Sequence, residues 1–385
     1  MDEKEVQHIL IEILRSALNR EACDVSIKEK ITPDILRSLY HLAKKHDVAH
    51  ILSDFVYRNQ IEIEAELQGR LQRDEFLSVY RCEQLKFTFE EICRTFDDAE
   101  IPYIPLKGSV IRPYYPCESM RTSCDIDILI HEDDLDCAIA CLESSGYRCG
   151  DKHYHDVSMY SPNKIHLELH FNIQENIDSL DVVLKDAWQY AMPTVGSRYD
   201  FKKAFWVYHM YAHMAYHFLA GGCGVRALMD IWIAEHKMEA SYSCAEELLK
   251  KAGIYQFAVE MSNLGERCFT TSDHKDGHAD VVLKYIFMGG VYGSTENNIA
   301  VKKSQINSST GYVFKRLFLP YQSMIILYPV LKKAPCLLPF CWIARWMRAL
   351  FRGKSKRLLS EISCANNLSD SMITEVKEIR ARLGL

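Results

Sequence analysis

RTSCDIDILIHEDDL, residues 121–135, sets two aspartates one residue apart inside an apolar run that reads as a buried strand. Successive side chains of a strand point to opposite faces, so Asp125 and Asp127 project from the same one. Cys124, Ile126, Ile128 and Ile130 are then expected on the other. Two like charges side by side repel, and each loses hydration when the strand is buried. Something positive is therefore expected between them.

The surroundings supply further pieces. Upstream, IPYIPL (101–106) is short and extended, Lys107-Gly108-Ser109 breaks it, and VIRPYYP is expected to make one or two helical turns. Downstream, HEDDLDCAIACLESSGY has acidic residues in its first turn, an apolar stripe and Gly146 at its end, the marks of a helix. YHDVSMY, the turn SPNK and IHLELHF then read as a hairpin. In its last strand Ile165, Leu167, Leu169 and Phe171 share one face. His166, Glu168 and His170 share the other. A third carboxylate thus stands on a strand face. Three such groups can gather divalent cations, and hard oxygen ligands suit Mg²⁺ or Mn²⁺. A glycine followed by a hydroxyl residue at a helix start lets backbone N–H groups approach phosphates.

Residues 1–97 carry helical spacing, with Thr32-Pro33 as an N-cap and first helical residue. Residues 98–195 hold the strands, and 196–385 return to helical patterns. Polar loops are expected at TTSDHKDGH (270–278) and KKSQINSSTG (302–311). At 385 residues the chain can bury a sizeable core. The 14 cysteines form no CxxC pair, and Cys137 and Cys141, four apart, read as small core residues of a helix. The N-terminus lacks a basic region followed by an apolar one, and no apolar run is long enough for a bilayer. Free thiols in a reducing cytoplasm are the expectation.

The order Gly-Ser, Asp-x-Asp, third carboxylate resembles the nucleotidyltransferase superfamily typified by DNA polymerase β. IPYIPLKGSVI, YYP, RTSCDIDILI, LESSGY, HLELHF, HMAYHF, GVRALMDI and the proline-rich basic end resemble more closely an uncharacterised bacterial nucleotidyltransferase-like family. That resemblance covers most of the chain. It implies an α+β fold, a small mixed-sheet core between helical N-terminal and C-terminal regions. It implies Mg²⁺-dependent transfer of a nucleoside monophosphate from an NTP, with ATP expected, to an acceptor hydroxyl. Asp125, Asp127 and Glu168 would then be catalytic metal ligands. Gly108 and Ser109 would hold phosphates, with Lys107 and Arg121 neutralising their charge. The gap from Ser109 to Asp125 is longer than the superfamily pattern, and Cys124 stands where the family usually has glycine. His166 and His170 share the face of Glu168 and can support a ligand from behind. Arg226 and Asp230 are the residues of the helical region expected to reach the nucleotide.

Two features point elsewhere. His209, His213 and His217 recur at every fourth position, a spacing that can bind Zn²⁺ or Fe, and Asp230 could add an acid. That is a metal phosphohydrolase of the HD type. Between Asn297 and Ser360 stand twelve Lys or Arg and no Asp or Glu, against a net charge of −6 for the whole chain. Such a segment suits RNA, another polyanion or an anionic membrane surface. A non-catalytic binding protein on the same fold is the corresponding alternative. It would leave Asp125 and Asp127 far from Glu168.

Overall fold

Five helices open the chain, α1 (Glu3–Asn19), α2 (Val25–Glu29), α3 (Pro33–Lys45), α4 (Ala49–Arg58) and the long α5 (Ala65–Asp98). The computed structural model describes residues 3–270, 279–291, 293, 295–304, 318–351 and 369–385. Pro33 is the first residue of α3, and the Thr32 hydroxyl accepts the Ile35 N–H, as the sequence leads one to expect.

After α5 the chain turns into β1 (Tyr103–Pro105), the four-residue α6 (Gly108–Ile111) and β2 (Asp125–Ile130). Helix α7 (Leu135–Ser144) leads into β3 (Arg148–Lys152), β4 (Asp156–Tyr160) and β5 (His166–His170). These strands form one sheet in the order β1-β2-β5-β4-β3. Strands β2 and β5 run parallel; every other pair is antiparallel, so the sheet is mixed. Register decides the rest. Asp125 stands opposite His166, and Asp127 opposite Glu168. One face of the sheet, Ile126, Ile128, Ile130, Leu167 and Leu169, packs on Leu85, Ile92 and Phe96 of α5 and on Leu135, Ala138 and Leu142 of α7. Burying each such side chain is worth about 1.5–3 kcal/mol. The polar face is left free for the site.

Cys124 departs from expectation. It precedes the strand, is exposed, and has Arg81 Nη1 3.6 Å from its Sγ. The alternation of faces extends only as far as the strand pairing, which begins at Asp125.

Helix α8 (Asp178–Leu184) is followed by a small hairpin of β6 (Ala191–Pro193) and β7 (Tyr199–Phe201) that the sequence did not announce. The division at 195/196 falls in its turn. Helices α9 (Lys203–Leu219), α10 (Val225–Lys237), α11 (Glu246–Lys251), α12 (Tyr255–Phe269), α13 (Ala279–Gly289) and α14 (Thr295–Ser304) follow, then helical segments Tyr321–Leu327, Leu338–Phe351 and Asp370–Leu383. The fold is α+β, with helical regions on both sides of the sheet. One large apolar core joins both regions, from Leu10 and Leu14 of α1 to Leu228 and Ile231 of α10 and Phe257 of α12. His46, fully buried, pins them: its Nδ1 accepts the Val225 N–H at 3.2 Å, and its Nε2 faces the Phe287 carbonyl at 3.2 Å. Of the two expected polar loops, 271–278 and 305–311 lie outside the described residues, as do 312–317 and 352–360 of the basic segment.

Candidate active site

Between the polar face of the sheet and helices α9 and α10 lies a cavity of about 400 Å³. Asp125, Asp127, Glu168 and His170 line one side, and His209, His213 and His217 of α9 another. Lys107, Gly108, Arg121, Arg226 and Asp230 also reach its walls. Of the residues expected to serve the site, His166 lies off the cavity wall, and so does Ser109. Its N–H bonds the Leu106 carbonyl in the turn that starts α6.

The three carboxylates come together, as a metal reading requires and as a binding protein with scattered acids would not. Ligand atoms of Asp127, Glu168 and His170 lie within 4.8 Å of one another, and those of Asp125, His166 and Glu168 do the same. Glu168 belongs to both sets because the parallel register places it beside Asp127 with Asp125 one pleat away. The structure sets a positive side chain, Lys107, beside Asp127, where the sequence reading puts a metal ion. Its Nζ donates to Asp127 Oδ1 at 2.7 Å, and Lys107 holds a left-handed backbone, φ 44°, to do so. A non-glycine residue in that region is strained, and such strain clusters at functional sites.

His170 Nε2 sits 3.0 Å from Asp127 Oδ1 and 3.4 Å from Glu168 Oε2. Burial alone would raise the Asp127 carboxyl, but the Lys107 ammonium and His170 hold it well below the usual carboxylate range. Asp125 is pushed up, first by burial and then by the Asp127 charge beside it. Burial draws His170 down, yet its bonds to Asp127 and Glu168 leave it raised. The two neighbouring carboxylates are thus driven apart in pKa, as titratable groups in functional sites often are. Donor chemistry fits one: each set offers carboxylate oxygens and one imidazole nitrogen, suited to Mg²⁺ or, with the nitrogen, Mn²⁺. His155 stacks on His170 with ring centroids 5.5 Å apart. Among the described residues the buried Nδ1 atoms of both rings lack a hydrogen-bond partner.

His166 turns its Nε2 to the Ser158 hydroxyl, 3.1 Å away, and stacks on Tyr160. Arg121 and Asp230 find each other. Arg121 Nη2 donates to Asp230 Oδ2 at 2.9 Å, and the Tyr115 hydroxyl donates to Asp230 Oδ1 at 2.6 Å. Arg226 donates to Asp47 Oδ2 at 3.0 Å and to the Thr122 carbonyl at 2.8 Å, tying α10 to the α3–α4 junction and to the approach to β2. These partnerships hold two guanidinium groups at the cavity wall. They also remove Asp230 from any set with the α9 histidines. Among the described residues His209, His213 and His217 gather into no three-ligand group, so the HD-type arrangement is not assembled.

Sequence reading missed Glu175, Tyr115 and Asp47. Glu175 Oε1 lies 2.9 Å from His213 Nδ1 and is presented by the loop after β5, where NIQENID carries no periodic signal. Tyr115 and Asp47 acquire their roles only through partners more than 70 residues away.

A parallel and antiparallel sheet bearing paired carboxylates on one face, closed by helices over a polar cavity, defines a nucleotidyltransferase-like α+β protein. The chain belongs to the uncharacterised nucleotidyltransferase family, whose model matches residues 35–269, more than half its length. No curated protein and no solved structure matches it. Among the described residues no helix is long and apolar enough to cross a membrane.

Proposed function

We propose that this protein moves a nucleoside monophosphate from an NTP to a hydroxyl of an acceptor, with release of pyrophosphate. The observation that carries the reading is the register of β2 and β5, which sets Asp127 beside Glu168 with Asp125 one pleat on. Asp125, Asp127 and Glu168 would hold Mg²⁺ or Mn²⁺, with His166 and His170 beside them. Such ions, when bound, neutralise phosphate charge and make an acceptor oxygen more nucleophilic. Lys107 stands where the triphosphate enters and meets the charge of the departing pyrophosphate. Gly108 lines that approach, and Arg121 and Arg226 add positive wall. In the step, the acceptor oxygen attacks the α-phosphorus as its hydroxyl proton passes to water. The bond from that phosphorus to the bridging oxygen breaks, and the oxygen leaves with its electron pair on pyrophosphate. Glu168, 28% exposed against 6% for Asp127, is the carboxylate we assign to the acceptor side. ATP is the proposed donor, and the cytoplasm of a bacterium the proposed setting.

The test supplies each α-labelled NTP with Mg²⁺ and a bacterial cell extract to the wild type and to an Asp125→Asn, Asp127→Asn variant. Label appearing on an extract component with the wild type alone is expected, with transfer by the variant at least about 10³-fold lower. Equal labelling by both would overturn the reading. For the basic segment 297–360 we propose contact with a polyanion or an anionic membrane surface. It is supported by Phe340, Ile343 and Met347, exposed on one face of helix Leu338–Phe351.

A further inference from the structure

Helix α9 carries His213 and His217 one turn apart, and their rings do something more specific than line a wall. His213 Nδ1 faces Glu175 Oε1 at 2.9 Å. That contact assigns the proton of His213 to Nδ1 and makes its Nε2 an acceptor. The Nε2 of His217 comes to within 3.0 Å of the same nitrogen. Two imidazole nitrogens 3.0 Å apart, one of them on a ring oriented from behind by a carboxylate, supply the protein's part of a carboxylate–histidine–metal arrangement. Nitrogens 2.0–2.1 Å from a tetrahedral ion lie about 3.3 Å apart, so the pair needs to open by only about 0.3 Å.

We infer that His213 and His217, oriented by Glu175, form a second cation site in the cavity, one that takes a borderline-soft divalent ion such as Zn²⁺, Co²⁺ or Fe²⁺. It is separate from the carboxylate sets on the sheet. Imidazole ligands select such ions over Mg²⁺. Burial holds both rings in the neutral form that a metal requires, His217 at about 3 and His213 well below its ordinary value. Two protein nitrogens leave the remaining positions open to water or to an oxygen of a ligand in the cavity. His209 does not join the pair. It lies a turn earlier, buried against the Phe201 ring at 6.2 Å between centroids.

This second site is independent of nucleotidyl transfer and is tested without it. In the full chain, Asp125→Asn, Asp127→Asn and Glu168→Gln together remove the carboxylate sets. This background is titrated with Co²⁺, read by visible absorption, and with Zn²⁺ in competition with a chromophoric chelator. One retained equivalent is expected, with no sulfur-to-cobalt band from the exposed cysteines. Adding His213→Gln and His217→Gln should weaken it at least tenfold, and adding Glu175→Gln alone about tenfold or more. His209→Gln should leave it unchanged. Far-ultraviolet circular dichroism checks folding, and should the double histidine variant fail to fold, Glu175→Gln decides alone. No retained equivalent, or affinity indifferent to Glu175 and the histidines, would overturn the site and leave a plain histidine–histidine hydrogen bond.

Discussion

A methyl group on Gly108 would come within 3.1 Å of Arg121 Nη1 and 3.3 Å of Arg112 Nη2. In the sequence that glycine reads as part of a phosphate-binding turn. In the fold two guanidinium groups lie across it, one of them the Arg121 that pairs with Asp230. Gly108→Ala is expected to lower stability by about 1–3 kcal/mol, the usual cost of forcing extra volume into a packed site. It should also weaken nucleotide binding, because Arg121 would shift on the cavity wall. Denaturant midpoints and nucleotide titration of the variant check both, and an unchanged midpoint would mean the arginines move aside freely. The same position shows what a sequence discloses about single residues. Asp125 and Asp127 announce themselves because charge on a buried strand needs an explanation. Glu175 and Asp47 do not, since an acid in a loop gains meaning only from a partner far along the chain.

Among elements, β5 was legible almost residue by residue and β3 was not. HLELH alternates because one face is buried, whereas RCGDK is exposed throughout and carries no pattern to read. The β6–β7 hairpin hides for a related reason: three-residue strands are too short for any period. What no local pattern could supply is the parallel pairing of β2 with β5, made across α7, β3 and β4. A shift of one residue there would turn Glu168 away from Asp127 and bring Leu169 into the site. Leu169 anchors that register from the buried face, with no exposure to solvent. Leu169→Ala should cost about 2–5 kcal/mol through lost burial and the cavity left behind. Equilibrium unfolding in urea measures it; a loss under about 1 kcal/mol would show that the register is held elsewhere.

For the molecule as a whole, the helical regions before and after the sheet share one core, and His46 is the polar contact that joins them at depth. Burial lowers its pKa from 6.5 to about 4. The folded state therefore resists a proton that the unfolded chain accepts. Stability from this group is fully present above pH about 6.5 and is lost as pH falls from there towards 4, at up to about 1.4 kcal/mol per unit. His209 and His217, at about 3, add slopes of the same sign. Urea midpoints measured between about pH 4 and 7 should fall steadily on acidification, and His46→Gln should remove about one proton's share of the slope. A flat profile would contradict the buried neutral state.

The Lys107 ammonium on Asp127 means that the carboxylates already carry their own counter-charge. A divalent cation arriving alone has to evict that ammonium and leave it stranded beside new positive charge. Arriving with a triphosphate, the same cation frees Lys107 to take an anionic partner at once. Cation and nucleotide should therefore raise one another's affinity by an equal factor, as reciprocity demands, on the order of 5–150-fold. Calorimetric titration of Mn²⁺ with and without an NTP measures that factor. Lys107→Met should abolish it while tightening the hold on the cation alone, so that one side chain decides whether two ligands are recognised separately or only as a pair.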